Sequence, residues 1–580
     1  MSGILALLVI GIPWLGATVL WLSGDRRPRL LHVLAVVFSV ATGAIALALL
    51  PLASSSTAVR IPFGSVFGDF TLVPDGLGVF ITAIAAVVGS LAVVFATDYM
   101  RHHDEQLSRF YSLILFFIGA MAGLALSGSL LFTFFFWEIT ALCSYALISF
   151  HNDDPRAVAG GVKALIMTQL GGAGLLAGSL LLYAYQGNYQ IDQFLANPGV
   201  LPTGLLAAMA FGLLIAAAAK SAQVPFHTWL PDAMEAPTPV TALIHAATMV
   251  NAGVYLLARF YPAFAAVPGW RLAVMIVGAL SALLAGLMAL AADDLKRVLA
   301  YSTISQLGFM VYAVGSGAFF ASQFHLLSHA VFKALLFLSA GAIITAVGTR
   351  DMNKMGGLGK VMPFVRIVFV IGACGLVGLP IANGFFSKDL ILEGGLAGGP
   401  TWLYFVMLFS VLLTALYTIR MFWMVFQGER RGPDPAHDGL PAMRVSLTLL
   451  ALGTLTTWLL AGPFGRMLAA TLPFHSVNVT STRLLAVQTF LNPATWLALA
   501  VIATGFGLWF YRKGFPALSK DLKSLLGRGF GFDWVNRQIV RFTQWIAAQL
   551  QRTQTGQLNW NIVGILGGLT ILLLALWGGR

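Results

Sequence analysis

Charged residues are scarce in this sequence. Asp, Glu, Lys and Arg together make up 10% of its 580 residues, whereas hydrophobic residues make up 58%. Soluble domains average about 25% charged residues, and a chain of this size cannot cover a water-facing surface with so few. The composition therefore excludes a cytosolic enzyme, a disordered chain, a nucleic-acid-binding protein and a disulfide-rich secreted module, despite a formal net charge of +12.

Cysteine is nearly absent, since the chain has only Cys143 and Cys374. Two residues inside apolar runs are too few to bind an iron–sulfur cluster, and no CxxC motif occurs. We expect both to pack as small buried hydrophobes. The sequence also lacks a GxGxxG fingerprint, and GGLGK at 356–360 lacks the spacing of a phosphate-binding loop. We therefore expect no cofactor and no metal site in this chain.

Long apolar runs, in contrast, are abundant. A bilayer core of about 30 Å is spanned by about 20 apolar residues in a helix, because a spanning segment must satisfy its own backbone hydrogen bonds. By this measure the sequence predicts an all-α polytopic membrane protein with about sixteen transmembrane helices. They are expected at 3–22, 29–51, 74–96, 110–127, 129–149, 163–185, 203–220, 238–258, 271–291, 298–318, 322–347, 364–395, 401–425, 444–464, 492–512 and 559–578.

Lysine and arginine are unevenly distributed among the predicted loops. If the N-terminus is outside, the inner loops contain 25 of the 34 basic residues and the outer loops contain 6. Such an excess on the cytoplasmic side is the usual determinant of topology. The sequence therefore predicts an N-terminus outside an energy-coupling membrane. The positive net charge is explained by the lysine and arginine residues of the inner loops, which set this topology and face an anionic leaflet.

Two of the predicted spans are interrupted. Pro225 and Pro231 interrupt the segment around 203–235, and a stretch with proline and glycine at 378–384 interrupts the span at 364–395. Paired interruptions of this kind are typical of broken helices at an ion site, and their separation indicates two five-helix repeats. The expected organisation is three helices in 1–109, a first repeat in 110–258, a second repeat in 271–425, two helices in 426–512, a lateral in-plane helix in 513–558 and a final span in 559–580.

The segment from 513 to 558 is too charged to span a membrane. Its apolar residues recur at spacings of three and four, which predicts an amphipathic helix. They are Val535, Ile539, Phe542, Ile546 and Leu550. Trp534 and Trp545 are suited to a membrane interface, so we expect the helix to lie in the membrane plane. A surface loop with some helix is the alternative.

Glu138 and Lys220 are ionisable residues within the predicted spans. An ionisable group in hydrocarbon costs at least about 2.5 kcal/mol and usually belongs to an ion path. No basic residue lies within a turn or two of Glu138, so its partner is expected on another helix. A Lys–Glu pair across helices would let the distance between the charges control the protonation of Lys220. A static buried pair, or a lysine that extends to the interface, are the alternatives.

His325, His329 and Lys333 recur every four residues in one predicted span. Four residues advance a helix by about 400°, slightly more than one full turn, so the three side chains form a stripe along one face of the helix. Histidine titrates near neutral pH, and the stripe therefore predicts a proton path across part of the bilayer. Polar packing and haem ligation are alternatives. His245 is a lone membrane histidine for which packing and proton relay remain equally open.

Lys388 and Asp389 follow the second break. We expect them to form a charged pair in the outer half of the path, and an interfacial salt bridge is the alternative. Lys163 opens its span and is interpreted as a topology signal, although a role in the path stays open.

Several segments resemble a known family. They are FFFWEITALCSY, AAAAKSAQVPFHTWLPDAMEAPTPVTALIHAATMVNAGVYL, DDLKRVLAYSTISQLGFM, HLLSHAVFKALLFLSAG and GFFSKD. Together they resemble the antiporter-like subunits. That family contains the L subunit of respiratory complex I (mitochondrial subunit five), the A subunit of Mrp cation/proton antiporters and subunits of membrane-bound hydrogenases. The resemblance covers nearly the whole chain.

The resemblance implies inverted five-helix repeats, two broken helices and a lateral helix before a final span. It implies proton translocation, with Na⁺ as a further candidate ion. The implied partners are other membrane subunits of a hetero-oligomeric complex, including homologous antiporter-like subunits, and peripheral flavin and iron–sulfur subunits of an NADH:quinone oxidoreductase-type complex. The family's functional positions fall on Lys220 and Glu138 for the Lys–Glu pair, on His245, His325, His329 and Lys333 for the central relay, and on Lys388 and Asp389 for the exit site.

The branch of the family stays open in the sequence. Gln169 and Gly172 stand where complex I L subunits usually carry Arg and Asp, and GTRD at 348–351 resembles the Mrp A subunit. The GFFSKD segment and the ending after one expected final span resemble complex I instead. Two functions outside proton pumping also stay open, namely secondary transport of an organic solute and a non-conducting structural role. A solute transporter would need polar, solute-sized groups at the breaks.

Overall fold

The computed structural model describes residues 1–101, 106–511, 520–527 and 529–553. They belong to two units, Met1–Ala517 and Leu518–Arg580.

The first unit is built from helices that follow the apolar runs of the sequence. Proline at the first helical turn and side-chain caps start several of them, such as Asp75, whose carboxylate accepts from Gly78 N. The α-helices are α1 Ser2–Ser23, α2 Pro28–Leu49, α3 Gly64–Phe67, α4 Gly76–Tyr99, α5 Leu107–Leu126, α6 Leu130–Ile148, α7 Pro155–Gln186, α8 Ile191–Ala196, α9 Thr203–Lys220, α10 Trp229–Asp232, α11 Thr238–Ala246, α12 Met249–Phe264, α13 Trp270–Ala291, α14 Leu295–Ser316, α15 Phe319–Val347, α16 Pro363–Val377, α17 Asn383–Gly398, α18 Thr401–Phe426, α19 Pro441–Thr456, α20 Ala461–Thr471, α21 Thr482–Leu491 and α22 Pro493–Phe510. Short 3₁₀ turns lie at Leu50–Leu52, Pro198–Val200, Ala233–Glu235, Met352–Lys354, Leu358–Lys360 and Thr457–Leu460.

These helices confirm the all-α polytopic prediction. Fourteen helical segments among the described residues are long and apolar enough to cross a membrane. Each predicted span from 3–22 to 492–512 has a helical counterpart, and the span predicted at 364–395 is the pair α16 and α17. The predicted final span at 559–580 lies outside the described residues.

Both predicted breaks are present. Helix α9 ends at Lys220, and the chain runs through α10 before α11 begins at Thr238. Helix α16 ends at Val377, where Gly378 adopts a left-handed backbone with φ of 90° that most residues avoid. Helix α17 then begins at Asn383. The interruptions therefore occur where proline removes a backbone hydrogen-bond donor or where a glycine in the left-handed conformation ends the helix.

A third interruption, between α11 and α12, was not predicted. Thr248 leaves the helical conformation with φ of −127° and ψ of −108°, so the expected span at 238–258 is two helices in succession. Two side chains accompany the break: Thr248 Oγ1 donates to Leu243 O over 2.8 Å, and Asn251 Nδ2 donates to Ala246 O over 2.8 Å. They satisfy carbonyls that the break would otherwise leave unpaired.

A two-stranded hairpin was also not predicted. Strand β1, Val59–Pro62, pairs antiparallel with β2, Asp69–Leu72, and Val59 lies opposite Leu72. It follows α2 and precedes α4 at one end of the first unit.

The most deeply buried helices lie at the centre of the first unit. The apolar windows of α14 and of the α11–α12 segment are entirely buried. Small residues allow close helix packing there: a side chain on Gly278 of α13 would lie 2.5 Å from Tyr312 N of α14, so only glycine fits. Of the two cysteines, Cys143 is buried as predicted and Cys374 is half-buried.

The second unit contains α23, Lys520–Gly527, a 3₁₀ turn at Gly529–Gly531 and α24, Phe532–Thr553. Helix α24 confirms the predicted helix in its 22 residues. Trp534, Phe542 and Trp545 are exposed on it. Its placement in the membrane plane remains a prediction.

Candidate functional site

Lys220 is fully buried at the end of α9, where the first break begins. Its ammonium Nζ donates to the carbonyl oxygen of Trp137 on α6 over 2.7 Å and lies 4.8 Å from the centre of the Trp137 ring. A backbone carbonyl and an aromatic face both stabilise a cation away from water. The lysine is therefore positioned by α6, and it is not extended to an interface.

Glu138 follows Trp137 on α6, and its charge interacts with that of Lys220. The two side chains do not form an ion pair, because the lysine bonds to the preceding carbonyl. Within the described part of the chain, neither carboxylate oxygen of Glu138 makes a hydrogen bond of ordinary geometry, although both are buried and Gln169 lies beside them. The two residues are thus close, but they do not form the ion pair that the sequence predicts. A small movement of α6 or α9 would change the distance between the two charges.

Gly172 on α7 provides the space for the Glu138 carboxylate. A methyl group on Gly172 would overlap Glu138 Oε1, so any side chain at this position would displace the end of the Glu138 side chain. Gly172 therefore lets α7 pack closely against the Glu138 carboxylate.

The stripe of α15 is buried throughout. His325, His329 and Lys333 have no exposed surface. Lys333 Nζ donates to Leu299 O over 3.2 Å and also to Ser302 Oγ, both on α14. The predicted arrangement on one helix is confirmed, and α14 supplies polar partners for it.

His325 connects two neighbouring helices. Its Nδ1 lies 2.9 Å from Ser387 Oγ of α17, and its Nε2 lies 3.2 Å from Gln306 Oε1 of α14. Both ring nitrogens are therefore engaged, which is compatible with a proton entering at one nitrogen and leaving at the other.

His245 lies at the unpredicted break between α11 and α12. Its ring centre is 5.0 Å from that of Phe337, and Lys333 Nζ is 5.9 Å from the same ring. His329 lies beside the backbone of Ala246. Neither His245 nor His329 has a hydrogen bond of ordinary geometry to any residue described. The geometry thus brings His245 to the α15 stripe, and buried ring nitrogens that lack an ordinary hydrogen bond in a native fold require an explanation beyond packing.

Lys388 and Asp389 have separate partners. Lys388 Nζ donates to Leu376 O over 2.8 Å and to Val377 O over 3.3 Å, at the C-terminal end of α16. Asp389 Oδ1 accepts from Thr495 Oγ1 of α22 over 2.7 Å. The prediction that Lys388 and Asp389 form a charged pair is therefore wrong. Adjacent residues on a helix point about 100° apart, so the two side chains reach different neighbours.

Three polar residues of this site were not singled out from the sequence: Ser302, Gln306 and Ser387. Ser302 and Gln306 are four residues apart on a helix that is otherwise largely apolar, which is the same spacing as the histidine stripe. That spacing was available as a signal. Ser387 had no such signal, because only the fold brings it to His325.

A charge network connects the helix ends on the side that the sequence predicts to be the inner one. Lys163 of α7 donates to Asp232 Oδ2 over 2.8 Å, and Arg297 donates to Asp232 Oδ1 over 3.0 Å. Arg350 bonds to Glu235 over 2.6 Å and to Asp294 over 2.7 Å. Burial disfavours the charged guanidinium of Arg350, but its carboxylate partners outweigh this and raise its pKa above the usual value.

Lys296 belongs to the same end of α14 and is buried, although the sequence pattern had placed it in a loop. Its Nζ donates to Ala236 O over 2.7 Å, next to the first break. The network thus holds the broken segment between α9 and α11 against α14.

A second buried ion pair lies near the opposite ends of the helices. Asp75 and Arg259 bond through both guanidinium nitrogens, with Arg259 Nη2 3.0 Å from Asp75 Oδ1. They line a cavity of about 220 Å³ together with His475. His475 Nε2 lies 2.9 Å from Ala258 O, and burial lowers the pKa of His475 to about 4.

Comparison with known proteins assigns the chain to a family. A family model described as NADH:quinone oxidoreductase/Mrp antiporter, TM, matches residues 127–414, and one described as NADH-Ubiquinone oxidoreductase (complex I), chain 5 N-terminus, matches residues 61–111. The NADH-quinone oxidoreductase subunit L of Pseudomonas aeruginosa is 39% identical over 541 residues, which cover 88% of each chain. The chain belongs to the antiporter-like subunit family.

Another antiporter-like subunit, the Na(+)/H(+) antiporter subunit A1 of Staphylococcus saprophyticus, is 35% identical over 484 residues, which cover 76% of this chain and 60% of that protein. A chain in the structure of the Mrp complex from Dietzia sp. matches with a TM-score of 0.82 and 27% identity, and the chain described here spans 62% of its length. These relatives are subunits of multi-subunit membrane complexes. The chain is accordingly an integral, multi-pass membrane subunit.

Proposed function

We propose that this antiporter-like subunit translocates protons in a redox-driven complex of the NADH:quinone oxidoreductase type. The observation that carries the proposal is the buried polar line on α11, α14, α15 and α17. It runs from Lys333 and Ser302, past His329 and His245, to His325, Ser387 and Lys388. Ionisable residues are retained in a membrane interior chiefly where they conduct or couple ions.

The proposed mechanism is electrostatic. Lys220 and Glu138 are close but not bonded, so a shift of either helix changes their attraction and with it the affinity of Lys220 for its proton. A proton released there passes to the line at His245 and Lys333. His325 relays it through the Ser387 hydroxyl toward Lys388, and Asp389 accepts it at the outer end.

The subunit L branch is favoured by coverage, since the subunit L relative matches 88% of both chains. A second candidate is the A-type subunit of an Mrp antiporter that exchanges Na⁺ for H⁺. Gly172 and the match to the Mrp complex favour it, whereas the match to subunit A1 covers 60% of that protein.

The proposed orientation and partner subunits follow from the assignment to the subunit L branch. The N-terminus lies outside an energy-coupling membrane, homologous antiporter-like subunits are neighbours, and peripheral flavin and iron–sulfur subunits supply electron transfer. No redox cofactor is assigned to this chain. The excess of basic residues in the inner loops and the closed inner charge network support this orientation.

The test is purification from native membranes in mild detergent, followed by identification of the companions by mass spectrometry. Flavin and iron–sulfur subunits would support the redox-driven pump, whereas companions that are all membrane proteins would favour the Mrp alternative. The purified complex is then reconstituted with Lys333→Met, and with Lys354→Met as a control at an exposed lysine. We expect Lys333→Met to abolish proton transport while the complex assembles. Unchanged transport with impaired assembly would instead identify a non-conducting structural subunit.

A further inference from the structure

One large crevice of the first unit is apolar. It has a volume of about 700 Å³ and lies between α2, α4, α15 and α20. Leu47, Phe80, Leu327 and Met467 are representative of its walls. A water-sized group occupies about 30 Å³, so the crevice accommodates on the order of twenty methylene groups.

The polar side chains in its walls are already bonded. These are Thr457 and Thr471. Thr457 Oγ1 donates to Gly453 O and accepts from Asn383 Nδ2, each over 2.8 Å. Thr471 Oγ1 donates to Met467 O and accepts from Gly76 N, each over 2.8 Å. The walls therefore favour a hydrocarbon occupant over a polar solute.

The crevice lies in one half of the predicted spans. On α4 its walls extend from Phe80 to Val88, eight residues along the helix, which corresponds to about 12 Å. One leaflet of a bilayer core is about 15 Å thick, half of its total. The crevice is thus short enough to lie within one leaflet, where acyl chains are available to fill it.

An exposed cation borders the crevice. Arg466 on α20 is exposed and makes no ion pair with any residue that the structure describes. It shares a helix face with the lining residues Pro463 and Ala470, which are three and four residues away. A guanidinium binds phosphate through two parallel hydrogen bonds, and a long arginine side chain extends to the headgroup level.

We propose that this crevice binds one phospholipid, with its acyl chains between α4, α15 and α20 and its phosphate at Arg466. The bound chains contact Leu327 and Val331 on the helix that also carries His329 and Lys333. They also cover Thr457, which bonds Asn383 at the start of α17. The lipid therefore packs against the helices that carry the polar line and stabilises their positions.

The experiment uses the whole complex and a phosphatidylglycerol that carries a photoreactive diazirine in one acyl chain. Ala470→Trp fills the crevice, and Ala469→Trp places the same bulk on the neighbouring exposed residue, which does not line it. We expect labelled peptides from α15 and α20 in the unmodified and Ala469→Trp complexes, and at least about a fivefold loss of label in Ala470→Trp. Ala83→Leu, a smaller filling change on α4, serves as the second variant if Ala470→Trp fails to assemble.

A matching diazirine fatty acid without phosphate distinguishes the lipid classes. Arg466→Gln is expected to lower labelling by the phospholipid and to leave labelling by the fatty acid unchanged. Equal labelling of Ala470→Trp and Ala469→Trp overturns the proposal, as does absence of label from α15 and α20. Cross-linking of an Ala470→Cys variant to a protein segment of the complex also overturns it, because protein would then occupy the crevice.

Discussion

His325 and Ser387 join the central helix stripe to the second broken helix. The histidine Nδ1 and the serine Oγ are 2.9 Å apart across 62 residues of sequence, and Lys388 is the next residue along α17. The contact connects an imidazole, which can both accept and donate a proton, to the helix whose lysine bonds the end of α16. A single hydroxyl therefore stands between two of the groups proposed to exchange a proton.

Removal of that hydroxyl is expected to interrupt translocation. Ser387→Ala should lower the number of protons moved per electron pair, on the order of tenfold, because no other described group bridges His325 and α17. The measurement is proton uptake against electron transfer in vesicles that contain the complex. Ser410→Ala is the control, since the Ser410 hydroxyl is buried but donates only to Val406 O on its own helix. An equal effect of both changes would contradict the prediction.

A methyl group on Gly172 is expected to displace the Glu138 carboxylate. Gly172→Ala should lower proton transport with little loss of stability, because the obstacle is the end of a flexible side chain. Gly212→Ala on α9 is the matched change, since its added carbon would make only ordinary contacts with Gly174. Transport rates and melting temperatures of the two variants are compared. Wild-type transport in Gly172→Ala would show that the position of the carboxylate is unimportant.

The Asp75–Arg259 pair is expected to be important for stability. Arg259→Leu leaves a buried carboxylate without its cation, which costs about 3–5 kcal/mol, and should lower the melting temperature of the complex. Asp75→Asn combined with Arg259→Leu should recover part of this loss, because the amide is neutral and still accepts from Gly78 N. Arg60→Leu, which breaks the exposed pair with Asp69, should cost no more than about 1 kcal/mol. The pair is not stabilising if Arg259→Leu and Arg60→Leu melt alike.

His475 is expected to make stability depend on pH. Its folded pKa of about 4 lies below the ordinary value of 6.5 because the ring is buried. Between these values the unfolded chain binds a proton that the folded chain does not, so stability is complete above about pH 6.5 and falls as the pH is lowered to about 4. Since the ring is only partly buried, we expect a loss of about 1–2 kcal/mol.

The measurement is the melting temperature of the complex between pH 7 and pH 4.5, for the unmodified chain and for His475→Gln. The variant should show a shallower decline, because glutamine does not titrate and retains a donor for Ala258 O. His151→Gln, at an exposed histidine, is expected to leave the slope unchanged. A parallel decline in all three proteins would refute the role of His475.

Much of the architecture was predictable because hydropathy and helix breakers act locally. The span at 203–220 was placed correctly at both ends, and proline and glycine marked both broken helices. The break after His245 was not predictable in this way, since Ala247 and Thr248 are neither proline nor glycine. The hairpin at Val59–Leu72 follows from a short pairing that composition does not signal.

The sequence identified the candidate residues, but it did not identify the groups to which they bond. A buried charge is evident in an apolar run, so Lys220, Lys333 and Lys388 were identified from the sequence alone. Each donates to a backbone carbonyl, of Trp137, Leu299 and Leu376 respectively. A carbonyl is present at every residue, so sequence patterns favour carboxylate partners and miss these contacts.

The bonds of Lys388 to the end of α16 have a mechanical consequence. Its ammonium supplies donors to carbonyls that the helix end leaves unpaired, and its charge faces the negative end of the helix dipole. Loss of the proton removes both the charge and one donor from this joint. If Lys388 carries protons as proposed, each proton that leaves it would also weaken the contact between the two half-helices, so proton transfer and the stability of the second break would be coupled.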